Sequence, residues 1–272
     1  MFLYWFPDLQ ASEKHNVSGD VRQHVCPHVK NTDFTELPVQ DNIRIMTRGI
    51  FLAGNESVLF SAVAAEVEKR VEKYTAAVIH ASGKSAVENA AAGTTDNSGQ
   101  HKKIPLVWNP GSPISNRTII LSAENWLGQI NDALLVCSPP AIYKPAGTLA
   151  PAEIESWINT QIKGWFFLIR ELAVYFRGRG SGSLALLIPE VGPGSGESAS
   201  DLFGVPAAAM FRALAQEILL SASVEPFYIS GFTFPDAGKE KEFAAWAMKI
   251  LDEGSKKNSG KWFKYAKFPL FK

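Results

Sequence analysis

The stretch Asp132-Ala-Leu-Leu-Val-Cys-Ser-Pro-Pro140 decides the fold, together with the three segments that follow it. Its apolar run at 133–137 is typical of a strand that is buried on both faces of a parallel sheet. A long helical segment at 153–176 comes next, then the apolar run Gly182-Ser-Leu-Ala-Leu-Leu-Ile-Pro189, then a second helical segment at 203–220. Strand, helix, strand and helix in this order predict right-handed crossovers and a doubly wound parallel sheet.

The rest of the chain continues the alternation. Apolar runs predict further strands, and apolar residues at helical spacing predict further helices. The predicted strands are 48–54, 76–80, 104–108, 227–234 and 261–268, and the predicted helices are 57–74, 85–92, 115–130 and 239–251. Ser115 is the predicted N-cap of the helix at 115–130. The whole pattern predicts a three-layer α/β fold around one Rossmann-like sheet.

The first 42 residues differ from the rest. They show no strand or helix period and carry Pro7, Pro27 and Pro38. We predict an irregular N-terminal extension at 1–42 and a single domain at 43–272. The aromatic start, Met1-Phe-Leu-Tyr-Trp-Phe6, is expected to pack on that domain or on a partner.

Charge and composition argue against several classes of partner. Lys plus Arg and Asp plus Glu both number 27, and nucleic-acid binding needs a basic face, so no nucleic-acid partner is expected. No apolar run approaches the roughly 20 residues of a membrane span, so no membrane association is expected. The start lacks the basic region of a signal peptide, and two cysteines make no disulfide framework. We therefore expect a cytoplasmic protein.

The segments quoted above resemble the second half of a short-chain dehydrogenase/reductase (SDR). The resemblance is best over 132–231 and weaker over 49–131. It implies a sheet that binds NAD or NADP and a catalytic set of Ser, Tyr and Lys. It also implies an Asn on the first long helix, three residues before a Gly.

The residues at the catalytic positions differ from those of the family. The positions of the Ser, Tyr and Lys are held, in that order, by Pro189, by Leu202 or Phe203, and by Pro206 or Ala207. The sequence has neither Tyr nor Lys anywhere at 181–225, so this absence does not depend on alignment register. The resemblance therefore predicts the SDR fold without the Ser, Tyr and Lys that carry out the family's reaction.

The cofactor turn is also altered. In the family, glycines let the backbone approach a pyrophosphate at a helix N-terminus. The segment Ala53-Gly-Asn-Glu-Ser-Val-Leu-Phe60 keeps one glycine, and Val58 and Phe60 stand where the later glycines would be. Glu56 would repel a phosphate. No cofactor is assigned, NAD(P) remains the alternative, and the residues that would contact it are Gly54, Asn55, Ser57 and Ser138.

No residue is assigned as catalytic, and four are candidates. With Gly164 as the reference, Gln161 takes the position of the family's Asn, whereas Asn159 would lie on a different helical face. Glu190 follows Pro189 and is a candidate acid or base, or a solvated loop carboxylate. The other two candidates are Tyr143, whose loop hydroxyl could come from another direction, and Cys137, which is a nucleophile or a small buried hydrophobe.

Other polar groups allow a functional and a structural interpretation. His24, Cys26 and His28 could face one side of an extended segment, but no fourth ligand is evident, so no metal site is predicted. His80 ends a predicted strand and is a base, a binding group or a structural histidine. The glycine-rich loop at 192–196 lacks the Lys-Ser/Thr ending of a P-loop.

The predicted function follows from the altered positions. The resemblance implies that the helices at 152–176 and 202–222 form subunit contacts, so we expect a homo-oligomer or a hetero-oligomer. The leading interpretation is a pseudoenzyme, that is, a non-catalytic binding or assembly subunit on an oxidoreductase fold. One alternative is an atypical NAD(P)-dependent oxidoreductase with non-standard catalytic residues. Another is a sensor of a different small ligand near Cys137, Glu190 and Gln161.

Overall fold

The computed structural model describes residues 47–70, 72–80, 108–190, 201–234, 238–254 and 256–265. The N-terminal extension, the strand predicted at 104–108 except Trp108, the helix predicted at 85–92 and the loop at 192–196 lie outside these ranges. The predicted boundary between the extension and the domain therefore remains a prediction.

Parallel strands form one sheet in the described part of the chain. They are β1 (Arg48–Gly54), β2 (Tyr74–His80), β3 (Asp132–Val136), β4 (Ser183–Pro189), β5 (Tyr228–Phe234) and β6 (Lys261–Lys264). Their order across the sheet is β2-β1-β3-β4-β5-β6. After β2 the chain returns to the other side of β1, so the direction of winding reverses between β1 and β3. In open α/β sheets this switch point, at the carboxyl ends of the strands, is where ligands bind.

The helices lie between the strands, as the sequence predicts. They are α1 (Val58–Glu68), α2 (Pro113–Leu127), α3 (Pro151–Ile158), α4 (Gly164–Arg179), α5 (Gly204–Leu220) and α6 (Glu240–Asp252). The predicted N-cap of α2 is wrong, because Ser112 caps it by accepting a hydrogen bond from the Ser115 N–H at 3.3 Å. Pro113 in the first turn explains the earlier start, since proline suits that position.

The long helix predicted at 152–176 is interrupted. The π-helical turn Asn159–Lys163 separates α3 from α4. At Gly164, an added Cβ would lie 2.5 Å from the Cβ of Pro110, so the α2 side of the fold comes too close there for any larger residue. A π-turn inserts an extra residue into a helix and is often found at functional sites.

Two apolar layers enclose the sheet. On one face, α1 and α6 contribute Phe60, Val63, Phe243 and Met248 to a buried cluster. On the other, α2, α4 and α5 contribute residues such as Ile119, Leu168 and Phe211. Because both faces are covered, β3 and β4 are apolar throughout, apart from Asp132 and Ser183 at their starts. The predicted three-layer, Rossmann-like fold is confirmed.

Helix α5 passes a membrane test by length and composition. Over Gly204–Ser223, which includes the short helix after α5, the mean hydropathy reaches 1.2. However, Ala207, Phe211 and Ala215 are buried, and the helix packs on β4 and β5. An apolar helix that covers a sheet with one face has the same composition, and α5 covers β4 and β5 in this way.

A charged cluster lies at the amino ends of the strands, opposite the switch point. Asp132 is 3% exposed and accepts a hydrogen bond from Arg48 Nη2 at 2.7 Å through Oδ1, while its Oδ2 has no hydrogen-bond partner. Burial raises the pKa of Asp132 to about 6, although the Arg48 guanidinium opposes the shift. Nearby, Tyr74 donates to Asp252, which Arg70 Nε also contacts at 3.2 Å.

Candidate functional site

The ends of β1 and β3 meet at the switch point. Gly54 pairs with Val136 in the last register position, so Asn55 faces the segment Cys137-Ser138. The Asn55 side-chain Nδ2 donates to Gln161 Oε1 at 2.7 Å and lies 3.4 Å from the Ser138 carbonyl oxygen. Three candidates from the sequence, Asn55, Ser138 and Gln161, are thus brought together although both contacts span more than 80 residues.

The π-turn orients Gln161 toward the sheet. Gln161 is 8% exposed and lies in the middle of the turn, whereas Asn159 is partly exposed and packs near Gly111. Asn159 also lines a polar surface groove of about 390 Å³, together with Asn109, Glu155, Ser156 and Thr160. Gln161 rather than Asn159 therefore reaches the switch point.

The amino end of α1 is where a dinucleotide pyrophosphate would bind in this architecture. Ser57 caps the helix, and its Oγ accepts a hydrogen bond from the Phe60 N–H at 3.0 Å. Phe60 is buried against Gly54: a Cβ added to Gly54 would lie 2.6 Å from Phe60 Cδ2. Val58 is 70% exposed on the first turn, and Glu56, just before the cap, is exposed.

These residues do not fit a dinucleotide. The hydroxyl of Ser57 already satisfies one of the helix N–H groups that a phosphate would use. Val58 adds a side chain where the bound pyrophosphate requires bare backbone, and Glu56 adds a like charge. A residue that contacts the ribose would be expected at the end of β2. The side chain of His80 and the residues after it lie outside the described part, so this contact stays untested.

Apolar side chains stand at every position that the resemblance offers for the catalytic residues, namely Pro189, Leu202 or Phe203, and Pro206 or Ala207. Phe203 is buried and packs on the Trp157 ring with 4.7 Å between centroids. Ala207 is fully buried in the same small cluster, and Pro189 is partly buried at the end of β4. None of the three carries a group that could donate or accept a proton.

The other acid–base candidates have structural partners or lie apart. Glu190 accepts from Lys264 Nζ at 3.1 Å, which links the end of β4 to β6. Cys137 is fully buried, and burial raises the pKa of its thiol strongly, so it stays protonated. Tyr143 is exposed in the loop after β3. In the part of the chain that the structure describes, no hydrogen bond joins these three residues to Gln161.

Sequence reasoning missed Asp201. Its Oδ1 accepts hydrogen bonds from the backbone N–H groups of Ile142, Phe203 and Gly204 at 3.0, 3.2 and 2.9 Å. The carboxylate thus joins the loop after β3 to the amino end of α5. The signal was an Asp shortly before a predicted helix, which is typical of a cap.

No metal cluster emerges at this site. Within the described ranges, no group of three or more His, Cys, Asp or Glu side chains is arranged to hold a metal ion. His24, Cys26 and His28, the residues considered from the sequence, lie outside those ranges.

The fold can be compared with solved structures. A short chain dehydrogenase from Mycobacterium smegmatis superposes with a TM-score of 0.63 at 14% identity, over 83% of this chain and 94% of that chain. A short-chain type dehydrogenase/reductase from Mycobacterium marinum gives 0.63 at 13% identity, over 81% and 95%. A 3-ketoacyl-ACP reductase from Sinorhizobium meliloti 1021 gives 0.58 at 14% identity, over 80% and 96%.

The sequence comparisons add no relative. No protein-family model and no curated protein sequence matches the chain. The likeness to solved structures extends over nearly the whole length of the dehydrogenases compared, at a level of identity that establishes the fold. This chain therefore has the oxidoreductase fold of the short-chain dehydrogenases/reductases, as the motifs of its second half predict.

Proposed function

We propose that this chain is a divergent protein of the short-chain dehydrogenase fold that has no dehydrogenase chemistry and acts as a binding or assembly subunit. One observation carries the proposal: no Tyr or Lys occurs at 181–225, and Phe203, one of the two residues that the resemblance aligns with the family's catalytic Tyr, packs on Trp157. Carbonyl reduction needs a group that delivers a proton, and none stands there.

The size of the effect supports a non-catalytic role. A positioned acid or base contributes roughly 10²–10⁴-fold to a rate. The chain lacks the Tyr, the Lys and the Ser together, and Cys137 and Glu190 are held in structural contacts. A protein with this arrangement would retain little acceleration over the uncatalysed reaction.

Exposed apolar side chains support an assembly role. On α4, Phe166 is 49% and Val174 is 52% exposed, and their spacing places them on one side of the helix. On α5, Val205 and Leu220 are exposed as well. We call Phe166 and Val174 the α4 face. Apolar side chains exposed on a helix that the resemblance places between subunits support a partner surface, which we assign to a second copy or a related subunit.

The test of assembly is the molar mass of the full-length protein in solution. Light scattering after size exclusion should give a dimer or larger for the wild type and a monomer for the Phe166→Asp/Val174→Asp variant. Lys241→Asp, at an exposed position of α6 on the opposite layer, is the matched control and should keep the wild-type mass. The assembly role would be refuted if the wild type is a monomer at micromolar concentration, both on its own and in the presence of the proteins that co-purify with it.

The alternative is an atypical NAD(P)-dependent oxidoreductase, and the likeness to solved dehydrogenases favours it. Its test is the consumption of NADH or NADPH with a panel of ketones, aldehydes and their alcohols. Turnover that is lost in Glu190→Gln or Tyr143→Phe would establish this alternative and overturn the non-catalytic proposal. Absence of turnover in the wild type would support the proposal.

A further inference from the structure

We infer that the switch-point crevice is closed from within, and that the hydrogen bond between Asn55 and Gln161 replaces a bound dinucleotide as the link between β1 and the α3–α4 helix. This inference rests on the proposed absence of dinucleotide chemistry. It is independent of the oligomeric state.

Phe60 and Val58 line one wall of the crevice. Phe60 occupies the space under Gly54, where the family has a glycine, and it belongs to the buried cluster between the sheet and α1. Its ring cannot move out without opening a cavity in that cluster, so the wall is rigid. Val58 stands on the outer side of the same turn and is mostly exposed.

Two buried amides form the floor of the crevice. Asn55 and Gln161 are each 8% exposed, and their amides meet at 2.7 Å across the ends of β1 and the π-turn. A buried amide without a partner costs about 1–3 kcal/mol, so each group depends on the other. A dinucleotide that entered here would have to break this contact and also the approach of Asn55 to the Ser138 carbonyl. Asn55 Nδ2 and Gln161 Oε1 therefore satisfy each other, and a cofactor at this point would have to break their hydrogen bond.

The π-turn connects this floor to the long helix pair. Its five residues, Asn159–Lys163, set the direction of α4 relative to α3, and Gln161 is the buried residue among them. By joining Gln161 to the end of β1, the contact anchors this turn to the centre of the sheet. The helix that carries the α4 face is thereby held in place without a ligand.

The first experiment measures cofactor binding to the full-length protein. Nicotinamide fluorescence and calorimetry with NADH and NADPH should detect no binding at about 1 mM cofactor, a concentration that reveals even weak complexes. The melting temperature should also stay unchanged with cofactor, because only a ligand of the native state raises it. Binding in the micromolar range would overturn the inference and leave the oligomeric state as a separate question.

The second experiment tests the link by a double-mutant cycle. Asn55→Ala and Gln161→Ala should each lower the melting temperature by about 2–6 °C, and the double variant should lose clearly less than the sum of the two. Asn159→Ala, on the same π-turn but partly exposed, is the control and should shift it by less than about 1 °C. Additive losses, or single losses no larger than the control's, would overturn the link even if no cofactor binds.

Discussion

Asp132 makes the stability of this protein depend on pH in a direction opposite to that of most carboxylates. One of its oxygens binds Arg48 and the other is buried without a hydrogen-bond partner. Burial raises its pKa from 3.8 to about 6, more than Arg48 lowers it. The folded protein therefore holds this proton more tightly than the unfolded chain does.

The magnitude follows from the linkage between proton binding and folding. The pKa difference of about two units corresponds to about 3 kcal/mol, since each unit is worth about 1.4 kcal/mol. This stabilisation is fully present below the unfolded pKa of 3.8 and is lost as pH rises through the folded pKa of about 6. Between pH 7 and pH 5 the wild type should gain about 1.4 kcal/mol from this group alone.

The assay compares wild type with Asp132→Asn. Asn keeps the shape and an acceptor for Arg48 but does not titrate, so the difference between the two proteins isolates Asp132. Urea unfolding followed by tryptophan fluorescence should show the free energy of unfolding of the wild type rising, relative to the variant, by about 1.4 kcal/mol from pH 7 to pH 5.

A second variant tests the cause of the shift. Because the Arg48 guanidinium lowers the pKa of Asp132, Arg48→Met should move the midpoint of the pH effect to higher pH. A difference between wild type and Asp132→Asn that is the same at pH 5 and pH 7 would refute the reasoning. So would a wild type that loses stability relative to the variant at low pH, because the ion pair with Arg48 would then outweigh burial.

Three further predictions concern the carboxyl end of the sheet. In a Cys26→Ser background, Cys137 should not react with iodoacetamide at pH 8 until the protein is unfolded, because burial raises its thiol pKa; labelling of the native protein, read by mass spectrometry, would contradict this. Asp201→Ala removes the acceptor of three backbone N–H groups and should lower the melting temperature by about 3–8 °C in calorimetry, whereas Asp201→Asn, which keeps one acceptor oxygen, should lose less. Gly54→Ala places a Cβ 2.7 Å from the Val136 carbonyl oxygen and 2.6 Å from the Phe60 ring, so it should destabilise the fold by about 1–3 kcal/mol; an unchanged urea midpoint would show that β1 can shift.

The local pattern of the sequence was sufficient for the architecture. Apolar runs predicted β1 and β4 to within a residue, because a strand buried on both faces excludes polar side chains except at its ends. Helix ends were less accurate. The Ser112 cap was missed in favour of Ser115, since both residues are good caps and Pro113 between them decides the start.

The sequence predicted which residues belong to the candidate site, but not which of them contact one another. The position of Gln161 followed from its separation from Gly164 in the sequence. Its partner Asn55 lies 106 residues away in the sequence, and no periodicity relates the two residues. The π-turn that aims Gln161 inward was not predicted from the helical spacing, and the approach of Pro110 to Gly164 beside it depends on packing between distant segments. Asp132 was read as the start of an apolar strand, and its ionisation depends on a buried environment that distant segments create.

The sequence by itself determined the order of strands and helices, the doubly wound sheet and the absence of Tyr and Lys at 181–225. These depend on residue type and short-range spacing. Only the tertiary structure decided that Phe60 fills the space under Gly54, that Asn55 and Gln161 close the switch point, and that Asp132 is buried with one oxygen unpaired. The physical reason is that burial and hydrogen bonding depend on which groups are close in the folded protein. Packing brings together groups that are far apart in the sequence.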